Sequence, residues 1–173
     1  MTDLLYRSEL PQDDPAIAAL TDRAFGPGRY AKAAERLREG NRPLAKLSRV
    51  ALQDGRLLGS VRLWPVTVGG QPAAFLGPIA VEAESRKLGI GQALVEQACE
   101  AAAAAGWPHV LLVGDAPWFS RMGFTAAPAV TMPGPVDQRR VLALRLSDSA
   151  PDLFGLARIP SPAEGEDIGG ADR

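Results

Sequence analysis

Residues 82–92 read Glu82-Ala83-Glu84-Ser85-Arg86-Lys87-Leu88-Gly89-Ile90-Gly91-Gln92 and join an apolar stretch to a long alanine-rich one. In residues 90–105, Leu94, Ala98, Ala101, Ala102 and Ala105 fall on one helical face, and Gly106 and Pro108 stop the run as a helix C-terminus requires. A helix starting there presents unpaired N–H groups and about half a positive charge. Most helices answer that charge with a Ser, Thr, Asp or Asn cap and early acids. Here the entering turn holds Arg86 and Lys87, and no acidic residue occurs from Arg86 to Val95. Two cations beside a positive helix end repel it unless an anion sits among them. Gly89 and Gly91 let the backbone wrap closely around such an anion, because no Cβ intervenes. A pyrophosphate fits this arrangement. A tight turn without a ligand uses glycines in the same way, so the stretch alone leaves both readings open.

Spacing disposes of two rival phosphate motifs. A dinucleotide fingerprint needs a third glycine where Leu94 stands, and a nucleoside triphosphate loop needs Gly-Lys-Ser or Gly-Lys-Thr, which never occurs. Upstream, Leu76-Gly77-Pro78-Ile79-Ala80-Val81 adds a second clue. Pro78 cannot donate to a sheet ladder, and glycine within a strand often marks a bulge. A bulge here would splay the strand from the apolar run 110–113, freeing backbone groups for an amide-bearing ligand that enters as an extra strand. An edge-strand proline with no ligand is the alternative.

Working outward, residues 4–9 form a short strand, and Asp13-Asp14-Pro15 opens a helix bearing Ile17, Leu20, Ala24 and Phe25. A second helix is expected over 29–39, closed by Gly40. Asp54-Gly55 is a strong two-residue hairpin signal between strands 49–53 and 56–68. Gly69-Gly70 turns the chain into a third strand, 72–82. After the helix come a strand at 110–113 buried on both faces, a short helix over 117–122, and strands near 124–132 and 139–146. The expected fold class is therefore α/β (α+β): a mixed central sheet with an antiparallel N-terminal meander, one parallel β-α-β crossover and a C-terminal hairpin. Residues 1–147 make one domain. Residues 148–173, with six acidic against two basic residues and many Pro and Gly, form an extension expected to pack poorly.

Bulk properties narrow the function classes. With 19 basic and 20 acidic residues among 173, nothing in the total charge points to nucleic acid or an anionic membrane. One cysteine allows no intrachain disulfide, and no Cys/His cluster offers a metal site. The start lacks the layout of a signal peptide, and no apolar run approaches the ~20 residues that span a bilayer. The expectation is a cytoplasmic protein, monomer or homodimer, without metal.

Arg86-x-x-Gly89-x-Gly91 after an apolar strand, the Ala-rich helix, the buried strand and Trp118-Phe-Ser-Arg-Met-Gly-Phe124 together resemble the GCN5-related N-acetyltransferases. Leu-Gly-Pro-Ile-Ala-Val and the later Leu-Leu-Val-Gly-Asp-Ala-Pro are similar to a bacterial branch of small-molecule or uncharacterised members. The specific match covers roughly residues 75–124. The resemblance implies acetyl-CoA as acetyl donor. It places the pyrophosphate on Arg86, Lys87, Leu88, Gly89, Ile90, Gly91 and Gln92, and pairs the pantetheine arm with Ile79, Ala80 and Val81. Trp118 and Phe119 fall beside the thiol. The acceptor it implies is a small-molecule or protein amine, attacking the thioester directly in a ternary complex.

The chain departs from the family in one respect. Many members place a tyrosine four residues before the Gly-Phe pair to protonate the departing thiolate; this chain has Phe119 there, and its only tyrosines are Tyr6 and Tyr30. A thiol of pKa ~8.5 leaves tolerably without an acid. Ser120, water or Tyr30 are the substitutes, and Glu82 and Asp115, each following a strand end, are the candidates for removing the amine proton. His109 lies at the remote end of its strand, and Cys99 is a mid-helix core residue. Residues 29–49 carry a net charge of +5, read as a solvated face paired with the acidic tail or as an attraction for an acidic acceptor. A non-catalytic acyl-CoA-binding sensor is the alternative to an enzyme.

Overall fold

The computed structural model describes residues 3–26 and 33–168. Strands β1 (Leu5–Ser8), β2 (Arg49–Gln53), β3 (Arg56–Val68) and β4 (Gln71–Val81) pair antiparallel in that order. Both expected turns form: Asp54 and Gly55 take φ of 54° and 76°, Gly69 and Gly70 of 54° and 84°. These left-handed angles are what a two-residue hairpin requires. Helix α1 (Asp14–Phe25) follows β1, with Pro15 in its first turn. Helix α2 (Ile90–Ala104) then leads to β5 (His109–Val113), which is parallel to β4 and antiparallel to β8 (Val141–Arg145). Helix α3 (Ala116–Ser120) and the two-residue strands β6 (Thr125–Ala126) and β7 (Val130–Thr131) lie between them. Strand β6 pairs the outer edge of β8, giving the order β1-β2-β3-β4-β5-β8-β6.

The two sheet faces have different cover. Ile90, Leu94, Val95, Ala98 and Ala102 of α2 are buried against Ala51, Ala74, Leu76, Val110 and Leu112. On the other face Ile17 and Leu20 of α1 pack with Val50, Leu57 and Ala80. Further along that face, Leu37, Trp64, Phe75 and Leu111 meet β7 and the C-terminal segment. Each fully buried Ile or Leu contributes about 1.5–3 kcal/mol, so both faces are anchored.

Four expectations are corrected. The second helix is, in its described part, a 3-10 turn, Ala33–Leu37; residues 27–32, including Tyr30, lie outside the described residues. Ala105 is exposed, because the buried stripe of α2 runs through Ile90, Val95 and Cys99 and ends at Ala102. The strand expected near 124–132 is broken into β6 and β7, which pair with different partners. The segment after Ser147 packs: β9 (Gly155–Arg158) pairs antiparallel with β3 and parallel with β7, and Ala150, Leu153 and Ala157 are buried. Its glycine explains the fit. A Cβ on Gly155 would stand 2.9 Å from the Gly69 Cα, so the segment crosses the β3–β4 turn only with glycine there. Beyond it, helix α4 (Pro162–Ile168) is preceded by Ser161, whose hydroxyl accepts the Glu164 N–H at 3.4 Å. Two acids of this segment pair locally, Glu164 with Arg158 and Asp152 with Arg145.

Candidate active site

Strands β4 and β5 pair through only two register positions, Ala74↔Val110 and Phe75↔Leu111. Past Phe75 the strands part. The cause lies in β4: Gly77 takes φ 136°, its peptide bond to Pro78 is cis, and the β3–β4 register shifts between Val61 and Leu63. The bulge is fixed from behind by a contact that composition and periodicity do not reveal. The Trp64 indole N–H donates to the Gly77 carbonyl at 2.5 Å, and Trp64 itself is buried.

A cleft of about 470 Å³ opens on one side of this parting, lined by Ala24, Phe25, Ile79, Ala80, Val81, Arg86, Lys87, Gly89, Gly91, Gln92, Trp118 and Arg121. A second, of about 640 Å³, continues on the other side between the 3-10 turn 33–37 and the loop before β8. The two share Phe25, Ile79 and Trp118, so they form one groove through the sheet opening.

At the first cleft, α2 begins on Gly89 with no side-chain cap and no acid in its first turn. The physical premise read from the sequence therefore holds: an uncompensated helix start beside Arg86 and Lys87. Arg121 adds a third cation, held by a 3.0 Å hydrogen bond to Gln92 Oε1. Sequence spacing gave no signal for it, since it arrives from α3 on the far side of β5. The two glycines do different work. Gly89 has φ 74° and open space where a Cβ would be, so its role is conformational. Gly91 is ordinary helix, but a Cβ there would sit 3.7 Å from Val81 and 3.8 Å from the Trp118 ring, between two walls of the cleft. Leu88 is exposed and Ile90 is fully buried in the core; neither side chain lines the cleft.

Of the described residues singled out for proton transfer, Asp115 alone lines the groove. It caps α3 by accepting the Trp118 N–H at 3.1 Å and is otherwise exposed. Glu82 lines neither cleft. Its carboxylate sits 2.6 Å from Arg23 of α1 and 3.7 Å from Arg56, the first residue of β3. Arg56 also pairs with Glu84 at 2.9 Å; the Glu84 backbone and then Arg56 hold that carboxyl below its ordinary range. Glu82 thus ties α1 to the strand end that starts the glycine turn. Ser120 is exposed, lines neither cleft, and donates its hydroxyl to the Pro117 carbonyl at 2.9 Å. Phe119 is buried, edge-on to Trp118 and Phe124, with its ring against Gly114, where a Cβ would come within 2.4 Å. His109 is buried at the other end of β5. Cys99 is also buried, and desolvation pushes its thiol up to about 12, which excludes a thiolate nucleophile at neutral pH.

The chain matches the Acetyltransferase (GNAT) family over residues 14–124. It belongs to that family. Over 127 residues, 72% of this chain and 75% of the relative, it is 35% identical to the uncharacterized N-acetyltransferase YhbS of Escherichia coli. Among solved structures, Escherichia coli YhbS in complex with CoA superposes with a TM-score of 0.78 at 30% identity, covering 92% of this chain and 91% of that one. A Brucella melitensis GNAT family acetyltransferase in complex with acetyl-CoA gives 0.70 at 27% identity, covering 93% and 98%. The mixed sheet, with its parallel β4–β5 crossover, is the GNAT fold. Among the described residues no helix is long and apolar enough to cross a membrane, and no His, Cys, Asp and Glu group could hold a metal.

Proposed function

We propose that this GNAT protein is an acetyl-CoA-dependent N-acetyltransferase acting on an amine in a ternary complex. One observation carries the reading: an uncapped helix start with Arg86, Lys87 and Arg121 in a cleft that runs straight into the parting of β4 and β5. Anionic phosphates satisfy the helix start and the cations. An extended amide-bearing arm suits the edge of Ile79, Ala80 and Val81 that faces away from β3 and that β5 leaves without a partner strand. The relatives with CoA and acetyl-CoA bound support the same ligand class.

Catalysis then rests on orientation and on a main-chain donor at the bulge for the developing oxyanion. We assign the proton of the incoming ammonium to Asp115, which caps α3 two residues past β5. Among the described residues Phe119 cannot donate one and the Ser120 hydroxyl is committed to Pro117, so we assign the thiolate's proton to solvent. Phe119 also favours a second reading, a non-catalytic acyl-CoA sensor. Calorimetric titration with acetyl-CoA tests the common part; no binding at tens of micromolar (a binding free energy weaker than about −6 kcal/mol) refutes both. Free-thiol release across an amine panel then separates enzyme from sensor.

A further inference from the structure

Among the described residues, four charged side chains line the wider cleft: Arg38, Asp115, Asp137 and Arg140. Two are answered by neighbours. The Arg38 Nε donates to Glu35 at 3.2 Å, and Asp137 receives Arg139 on both oxygens at 3.0 Å. The other two make no ion pair among the described residues, although Arg139, and with it the nearby Arg140, holds the Asp137 carboxyl below its ordinary range. Among the described residues, Asp115 accepts only the Trp118 N–H and has no cation at ion-pair distance. Arg140 uses its Nε on the Gly114 carbonyl at 3.3 Å, and no described carboxylate pairs with it. The same glycine holds both in place. Asp115 follows Gly114 in the chain, while the Gly114 N–H donates to the Arg140 carbonyl at 2.9 Å. One anion and one cation therefore flank a single residue at the cleft wall without neutralising each other. The remaining wall is largely apolar, with Phe25, Phe75, Leu112, Val113, Pro135 and Val136.

We propose that the acceptor is a free α-amino acid with an apolar side chain. This rests on the acetyltransferase reading above. Asp115 takes the ammonium, Arg140 takes the carboxylate on the neighbouring carbon, and the apolar wall takes the side chain. A polyamine would leave Arg140 facing a like charge, and an amide or simple alkylamine would leave it without a partner. The Asp115 and Arg140 side chains are exposed, so pairing with them discriminates moderately against analogues lacking the charge. In the reaction the ammonium gives one proton to water by way of Asp115. The amine nitrogen then bonds to the acetyl carbon and the C–S bond breaks. The second nitrogen proton leaves, and the departing thiolate is protonated from solvent. The products are an N-acetylamino acid and free coenzyme A.

The test compares L-leucine and L-phenylalanine with leucinamide, isoamylamine and phenethylamine by thiol release. The free amino acids should exceed the carboxylate-free analogues in kcat/KM by about tenfold or more. Arg140→Gln should shrink that ratio to within about threefold, while acetyl-CoA affinity measured by calorimetry stays as in the parent. Equal or better turnover of the carboxylate-free amines overturns the proposal. So does absence of turnover with every amino acid when acetyl-CoA binds. Failure of acetyl-CoA to bind at all instead removes the earlier reading on which this one stands.

Discussion

Gly91→Ala and Gly91→Leu separate folding from ligand recognition. Position 91 lies in the first turn of α2 with ordinary helical backbone, so a side chain meets no strain. The new Cβ has ordinary contacts, 3.7 Å to Val81 and 3.8 Å to Trp118. Replacing helical glycine by alanine gains about 0.5–1 kcal/mol through backbone entropy and propensity. For a chain of this size that raises Tm by about 1–4 °C. The same methyl narrows the approach to the Gly89–Gln92 amides. Losing one charge-assisted phosphate hydrogen bond costs about 1.5–3 kcal/mol, which weakens Kd by roughly tenfold to 150-fold. Leucine fills more of the space between Val81 and Trp118 and should weaken binding further. Scanning calorimetry and acetyl-CoA titration of both variants give the two numbers. A Gly91→Leu protein that melts like the parent and binds acetyl-CoA within about twofold of it would show that the phosphates lie elsewhere.

Three further outcomes are expected. Trp64→Phe keeps most of the buried ring but removes the donor to Gly77; stability should fall by about 1–3 kcal/mol in denaturant titration, with kcat falling more than acetyl-CoA affinity. Glu82→Gln should raise the KM for acetyl-CoA, since Arg23 is no longer anchored beside Ala24 and Phe25, yet leave the pH–rate profile in place; loss of the low-pH limb would restore Glu82 as the base. Burial, and then Arg145, lower the His109 pKa, so the unfolded chain binds more protons than the folded one between that lowered value and about 6.5. Stability should therefore fall as pH drops below about 6.5, and His109→Leu should flatten that slope.

The fold was legible wherever its signals are local. Asp54-Gly55 and Gly69-Gly70 announce their turns within two residues, and the stripe from Leu94 to Ala102 announces α2 within three turns. The glycine turn was legible for the same reason: its cations, its glycines and the missing cap are contiguous. Partnerships across the chain were not. Trp64 reaches Gly77 across the hairpin, and Arg121 reaches Gln92 from α3. Nothing in the spacing of Glu82 foretells Arg23, 59 residues earlier. The segment after Ser147 looked unstructured because its Pro, Gly and acids resemble a solvated tail. It packs because Gly155 slots over Gly69 and Leu153 finds a ready apolar face.

The short join between β4 and β5 has a mechanical consequence. Backbone pairing at Ala74–Val110 and Phe75–Leu111 is all that stitches the plate of β1 to β4 to the plate of β5, β8 and β6 at this seam. A molecule laid into the open part would act as a rivet between the plates. It would stiffen their relative movement as well as occupy a groove. Amide exchange should then slow on both lips, at Ile79–Val81 and at Leu112–Gly114, when acetyl-CoA is added.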